Sequence, residues 1–154
     1  MKQIKVLIVD DHTIVREGLK WRLGQVKTIK VVGEASNGME AQEMVKSKKP
    51  NVVLIDERMP KLSGLETLKE IKKSANAPEV IMLTSEDCDD CRLDAIRNGA
   101  KGYFHKDIKK EKLIEAIERV NSGSLNLEVQ KKPFVTIHSQ IVKSVMNNSI
   151  IKVA

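Results

Sequence analysis

Short runs of β-branched and aliphatic residues recur along this chain, each followed by a stretch whose apolar residues fall three or four apart, and this alternation constrains the fold more than any other feature. The strand-like runs are IKVLIV (4–9), IKVVGEA (29–35), NVVLI (51–55), EVIMLT (79–84) and KGYFH (101–105). Helical spacing appears in Val15, Leu19, Leu23 and Val26, in Ala41, Met44 and Val45, and in Leu65, Leu68 and Ile71. It returns in Leu113, Ala116, Ile117 and Val120, while Ala95 stands among polar neighbours in a weaker stripe. Runs apolar on both faces and joined by helices predict a parallel sheet covered on both sides. The fold class is therefore α/β, a doubly wound five-stranded parallel sheet. A ligand site in such a sheet lies beyond the C-terminal ends of the strands.

The polar residues cluster where that rule puts them. Strand one ends in Asp10 and Asp11, strand three in Asp56, strand four in Thr84 and strand five in Lys106. Adjacent like charges at the mouth of a buried strand repel and lose solvation, so something must offset both costs. With no fixed basic partner nearby in sequence, Asp10, Asp11 and Asp56 suit a hard, oxygen-seeking cation such as Mg²⁺. Helix capping is the plain alternative, and it accounts for Asp11 ahead of Thr13 but leaves Asp56 unexplained. The segment DERMPKLSG (56–64) reads as a sharply turning loop, with Pro60 fixing φ and Gly64 permitting a close approach, and it is expected to hold Asp56 in the open. A carboxylate there can act as a nucleophile toward phosphorus, with the Lys106 ammonium and the Thr84 hydroxyl positioned for phosphoryl oxygens.

Composition removes several other classes. The apolar runs VLIV and VVLI are far below the ~18 residues that span a bilayer, and the N-terminus MKQIKVLIV lacks a signal-peptide cleavage site. A cytoplasmic protein without a membrane partner is expected. Of the formal net charge of +6, half sits in residues 124–154, where four lysines face Glu128. Aromatics make up only 3% of the chain, too few for a base-stacking platform.

Taken together and in this order, VDDH, LIDERMPKLSGLE, MLTSE and GAKGYFHKD resemble the receiver domain of two-component response regulators, most of all its NarL/FixJ (LuxR-type) branch. The resemblance covers residues 3 to about 122 and implies the flavodoxin-like (βα)5 receiver fold. By position it implies that Asp56 accepts a phosphoryl group from a sensor histidine kinase. Asp10, Asp11, Asp56 and the backbone carbonyl of Arg58 form the Mg²⁺ site, and Thr84 and Lys106 grip the phosphoryl group. Tyr103 matches the rotameric aromatic that turns inward as Thr84 moves. A homodimer on phosphorylation and control of a DNA-binding output domain are further implications. Two rival readings stay open: a Mg²⁺-dependent aspartyl-phosphate phosphatase, and an interaction module independent of phosphorylation. Arg58 stands where the first would need a second acid, and the intact acid set speaks against the second.

Some positions depart from the family pattern. Glu57 adds an acid directly after Asp56, where an apolar or neutral residue is usual. Arg58 and Glu86 flank the expected path of an attacking water and are expected to pair. In CDDC (88–91) the helix start favours a thiolate, but Glu86, Asp87, Asp89 and Asp90 oppose it, so small, half-buried thiols are expected rather than a redox switch. No histidine spacing makes a metal site with these cysteines. Residues 1–122 read as the receiver domain. Residues 123–154 read as a linker or tail with Pro133 as a breaker and a short amphipathic helix on Ile137, Ile141 and Val145, and no output domain is expected within them.

Overall fold

The computed structural model describes residues 2–123, and in them strands and helices alternate strictly. The order is β1 (Ile4–Val9), α1 (Thr13–Gly24), β2 (Ile29–Ala35), α2 (Gly38–Lys48), β3 (Val52–Asp56), α3 (Gly64–Lys72), β4 (Glu79–Thr84), α4 (Asp89–Arg97), β5 (Gly102–His105) and α5 (Lys110–Asn121). The expected tail helix on Ile137, Ile141 and Val145 lies outside the described residues. Among the described residues no helix is long and apolar enough to cross a membrane.

The strands form one parallel sheet in the order β2-β1-β3-β4-β5. Although the strands are apolar throughout, their period of two still divides them. Val6, Ile8, Leu54, Ile81 and Leu83 meet Leu19, Leu23, Leu113 and Ile117 on the side of α1 and α5. Leu7, Val9, Val53, Ile55 and Met82 meet Ala41, Leu68, Ile71 and Ala95 on the side of α2, α3 and α4. Each fully buried Leu or Ile contributes roughly 1.5–3 kcal/mol, so both layers are firmly attached.

The helices are not equally well held. α3 begins with a capping box in which Ser63 accepts from the Glu66 amide and the Glu66 carboxylate accepts from the Ser63 amide. α5 buries Leu113, Ala116, Ile117 and Val120. α4 buries only Ala95 fully, as its polar sequence implies. Because β1 has β2 on one side and β3 on the other, the chain reverses between β1 and β3. The crevice at that switch point is where Asp10, Asp11 and Asp56 arrive.

Candidate functional site

Asp10 follows the last residue of β1 and is fixed by its backbone as much as by its carboxylate. Its amide donates to Ala35 O at 3.0 Å, and its carbonyl accepts from Arg16 Nη1 at 2.7 Å. Its Oδ1 accepts from the His12 amide at 2.8 Å. Asp56 closes β3, and Lys106 follows β5. The Lys106 Nζ lies 2.8 Å from Asp10 Oδ2 and 3.1 Å from Asp56 Oδ1, so one ammonium bridges two buried carboxylates. The acids do therefore have a basic partner, delivered from the far edge of the sheet rather than from nearby sequence.

That single cation does not neutralise the cluster. Burial, and then the charge of Asp10, push the Asp56 carboxyl up to about 6 despite Lys106 and the Arg58 amide. Burial works against the Lys106 ammonium too, but hydrogen bonds and charge from Asp10 and Asp56 outweigh it and hold this lysine above its usual range. Among the described residues, Asp11 Oδ1 and Asp56 Oδ2 are buried without a hydrogen bond. His12 Nδ1 lies 3.1 Å from Asp11 Oδ1 without the alignment of one. Ligand atoms of Asp10, Asp11, His12 and Asp56 all fall within 4.8 Å of one another. Orphaned carboxylate oxygens converging on one crevice make an acidic pocket that fits a divalent cation. Capping by Asp11 is not what is seen: the N-cap of α1 is His12, with no side-chain cap.

Asp56 is not held in the open as expected. Only 3% of it is exposed, because the loop after β3 folds back over the strand end. Gly64 makes this closure: a Cβ there would run into the carbonyl oxygen of Asp56 and the Cα of Glu57, and its amide donates to Glu57 O at 2.9 Å. Arg58 N donates to Asp56 Oδ1 at 3.3 Å.

Thr84 is buried beside this pocket, and sequence reasoning missed its main partner. Its hydroxyl lies 2.5 Å from Glu57 Oε2 and 2.8 Å from Glu86 O, while Tyr103 donates to Glu57 Oε1 at 2.7 Å. Glu57 thus ties the threonine to the aromatic. Tyr103 is already inward, 6% exposed, with the Arg92 guanidinium 5.4 Å from its ring centre. Burial, then the hydrogen bond and charge of Glu57, push the Tyr103 phenol up, so it remains a donor. The signal for Glu57 was its acid where an apolar residue is usual. Arg58 Nη2 and Glu86 Oε2 pair at 2.7 Å, as expected.

The cysteines overturn their expectation: Cys88 and Cys91 form a disulfide rather than separate half-buried thiols. Cys88 is the extended N-cap of α4, and this brings its sulfur round to Cys91 in the first turn.

Comparison with known proteins shows what the chain resembles. The response regulator receiver domain model matches residues 6–118. The transcriptional regulatory protein YdfI of Bacillus subtilis is 40% identical over 80% of this chain and 58% of its own length. The nitrate/nitrite response regulator protein NarL of Escherichia coli is 32% identical over 83% of this chain and 59% of its own length. The chain therefore spans somewhat under two thirds of these curated relatives. The solved signal receiver domain of NarL from Mycobacterium tuberculosis superposes with a TM-score of 0.77 at 28% identity, covering 80% of this chain and 99% of that domain. With the family model matching residues 6–118 and the fold matching a solved receiver domain, the chain belongs to the response regulator receiver domain family, and its relatives include two-component regulators of the NarL/LuxR type.

Proposed function

We propose that the protein is a phosphorylation-controlled switch in which Asp56 is the phosphoacceptor. One Asp56 oxygen is anchored by Lys106 while the other is buried without a partner and faces the acidic pocket, and this observation carries the reading. The free oxygen attacks phosphorus, the P–N bond of a sensor kinase's phosphohistidine breaks, and the departing imidazole keeps the bonding electron pair and takes up a proton. Asp10, Asp11, Asp56 and the Arg58 carbonyl would hold Mg²⁺, which would neutralise charge between the carboxylates and the incoming phosphoryl group. Lys106 places a point charge on the phosphoryl oxygens, and Thr84 donates its hydroxyl to one of them.

The outcome is a change of surface rather than turnover. Capturing Thr84 takes it from Glu57, which also holds Tyr103, so the electrostatic event reaches the α4–β5–α5 face. We read residues 1–122 as the receiver and 123–154 as a linker toward a DNA-binding output, acting in the cytoplasm as a dimer when phosphorylated. Incubation with acetyl phosphate and Mg²⁺ followed by intact-mass measurement tests this. One slowly lost phosphoryl addition, absent in Asp56→Asn, is expected. Many turnovers of a phosphate ester would instead indicate a phosphatase, and no addition an interaction module.

A further inference from the structure

α4 is the helix with least to hold it. Ala95 is its one fully buried residue, so beyond the favourable charge of Asp89 and Asp90 on its first turn little packing secures it. An α-helix of this length is marginal without packing or a firm start. Its start is the Cys88–Cys91 bridge: Cys88 is the N-cap, and its sulfur accepts the Cys91 amide at 3.2 Å, the place a Ser, Thr, Asp or Asn oxygen usually takes. The bridge closes the first turn covalently.

What this turn carries makes the bridge consequential. Cys91 packs against the core cluster that contains Tyr103. The next residue, Arg92, lies over the Tyr103 ring, and Tyr103 and Thr84 share the Glu57 carboxylate. On the other side, Glu86 O and N both bond the Thr84 hydroxyl, two residues ahead of Cys88. The bridge therefore sits between two routes that both end on Thr84. Both cysteines are half-buried rather than sealed, next to exposed Asp87 and Asp90.

We propose that Cys88 and Cys91 are a reversible thiol–disulfide site whose redox partner is a dithiol, and that its state sets how firmly α4 holds Tyr103 and Thr84 in the resting arrangement. A reductant thiolate attacks one sulfur of the pair, forming a mixed disulfide. The Cys88–Cys91 bond breaks, and its electrons leave on the other sulfur, which takes a proton. The reductant's second thiolate then attacks the reductant's own sulfur in the mixed disulfide, closing the reductant's disulfide and releasing the bound cysteine as a thiolate that takes the second proton. Two electrons and two protons pass to the pair, and the reductant ends as its own disulfide. Of the four acids around the site Glu86 pairs with Arg58 and Asp89 with Arg92; Asp87 and Asp90 add negative charge that repels an anionic monothiol such as glutathione but not an uncharged dithiol. The coupling to Thr84 rests on the phosphoacceptor reading; the exchange chemistry does not.

The test equilibrates the intact protein in oxidised and reduced dithiothreitol at several ratios, traps thiols by alkylation and counts adducts by mass. The expected result is a reversible passage between none and two adducts, with much slower equilibration in glutathione. The reduced form should show faster amide hydrogen exchange across residues 88–92 and take up phosphoryl from acetyl phosphate roughly five-fold faster, the low end of coupling between linked sites. Cys88→Ser, Cys91→Ser should behave like the reduced form in every buffer. A pair that stays as two thiols in oxidised dithiothreitol and also, at full equilibration, in the more oxidising glutathione disulfide overturns the site. A bridge that forms but leaves both exchange and uptake unchanged overturns its role. If neither form takes up phosphoryl, the phosphoacceptor reading fails by itself, and exchange across residues 88–92 still decides whether the bridge controls α4.

Discussion

Replacing Asp56 by Asn should stabilise the fold at neutral pH when no divalent cation is present. The carboxyl is pushed up from 3.8 to about 6 by burial and by Asp10, so the folded protein binds that proton more tightly than the unfolded chain does. Stability contributed by such a group falls as pH rises from about 4 to about 6, and the whole cost applies above that window. At 1.36 kcal/mol per pH unit the cost is at most about 3 kcal/mol, and we expect the Asp56→Asn variant to recover roughly 1.5–3 kcal/mol of it. The amide keeps an acceptor for Lys106 and the Arg58 amide, so those bonds survive the change. Urea unfolding followed by circular dichroism, in chelator, should show the variant ahead at pH 7.5 and the gap nearly closed at pH 4. Millimolar Mg²⁺ should then raise the wild type more than the variant, since binding to the folded state alone adds stability. A wild type as stable as Asp56→Asn in chelator at pH 7.5, or a gap that does not narrow with acid, would refute the reasoning.

Gly64→Ala forces a methyl against the Asp56 carbonyl and should cost about 1–3 kcal/mol by overpacking while slowing phosphoryl uptake, read by urea midpoint and by mass. Glu57→Gln removes the charge that holds the Thr84 hydroxyl and repels anionic donors. Uptake from acetyl phosphate should rise about five- to ten-fold, the equivalent of about 1–1.4 kcal/mol for a charged hydrogen bond partly replaced; an unchanged or slower rate would show that Glu57 does not restrain Thr84. Breaking the Arg58–Glu86 pair with Arg58→Ala, Glu86→Ala should shorten the lifetime of the phosphorylated protein, and an unchanged decay would remove any shielding role for this exposed pair.

The sheet and the convergence of Asp10, Asp11, Asp56, Thr84 and Lys106 were legible because both depend on local periods and on one topological rule. Strand ends in a doubly wound sheet share an edge whatever their side chains do. The contacts within the edge were not legible, because they depend on register between strands distant in sequence. Asp56 pairs with Leu83, and the Glu57 amide donates to Leu83 O at 2.9 Å, so the residue after Asp56 comes beside the residue after Leu83. That puts Glu57 against Thr84, which no spacing rule encodes. Lys106 reaches both carboxylates for the same kind of reason, across β4 and β3 from the edge strand. The cysteine pair misled because the acids around CDDC speak only to thiolate reactivity, while the bond depends on the backbone conformation of Cys88. As the extended N-cap it bends its sulfur back onto Cys91.

The position of Tyr103 changes what switching can mean in this chain. Its ring is inward and its hydroxyl is bonded to Glu57, so in this arrangement the ring has no further inward turn to make. What can differ is the acceptor of the Thr84 proton. A hydroxyl has one proton to donate, and Glu57 Oε2 at 2.5 Å and Glu86 O at 2.8 Å already compete for it. A phosphoryl oxygen on Asp56 would be a third acceptor, carrying more charge than the Glu86 carbonyl. If it wins, Glu57 keeps Tyr103 but loses Thr84, and the loop from Thr84 to Cys88 is freed while the aromatic stays in place. The moving part would then be the start of α4 and not the ring, which is the segment that the fewest buried side chains secure.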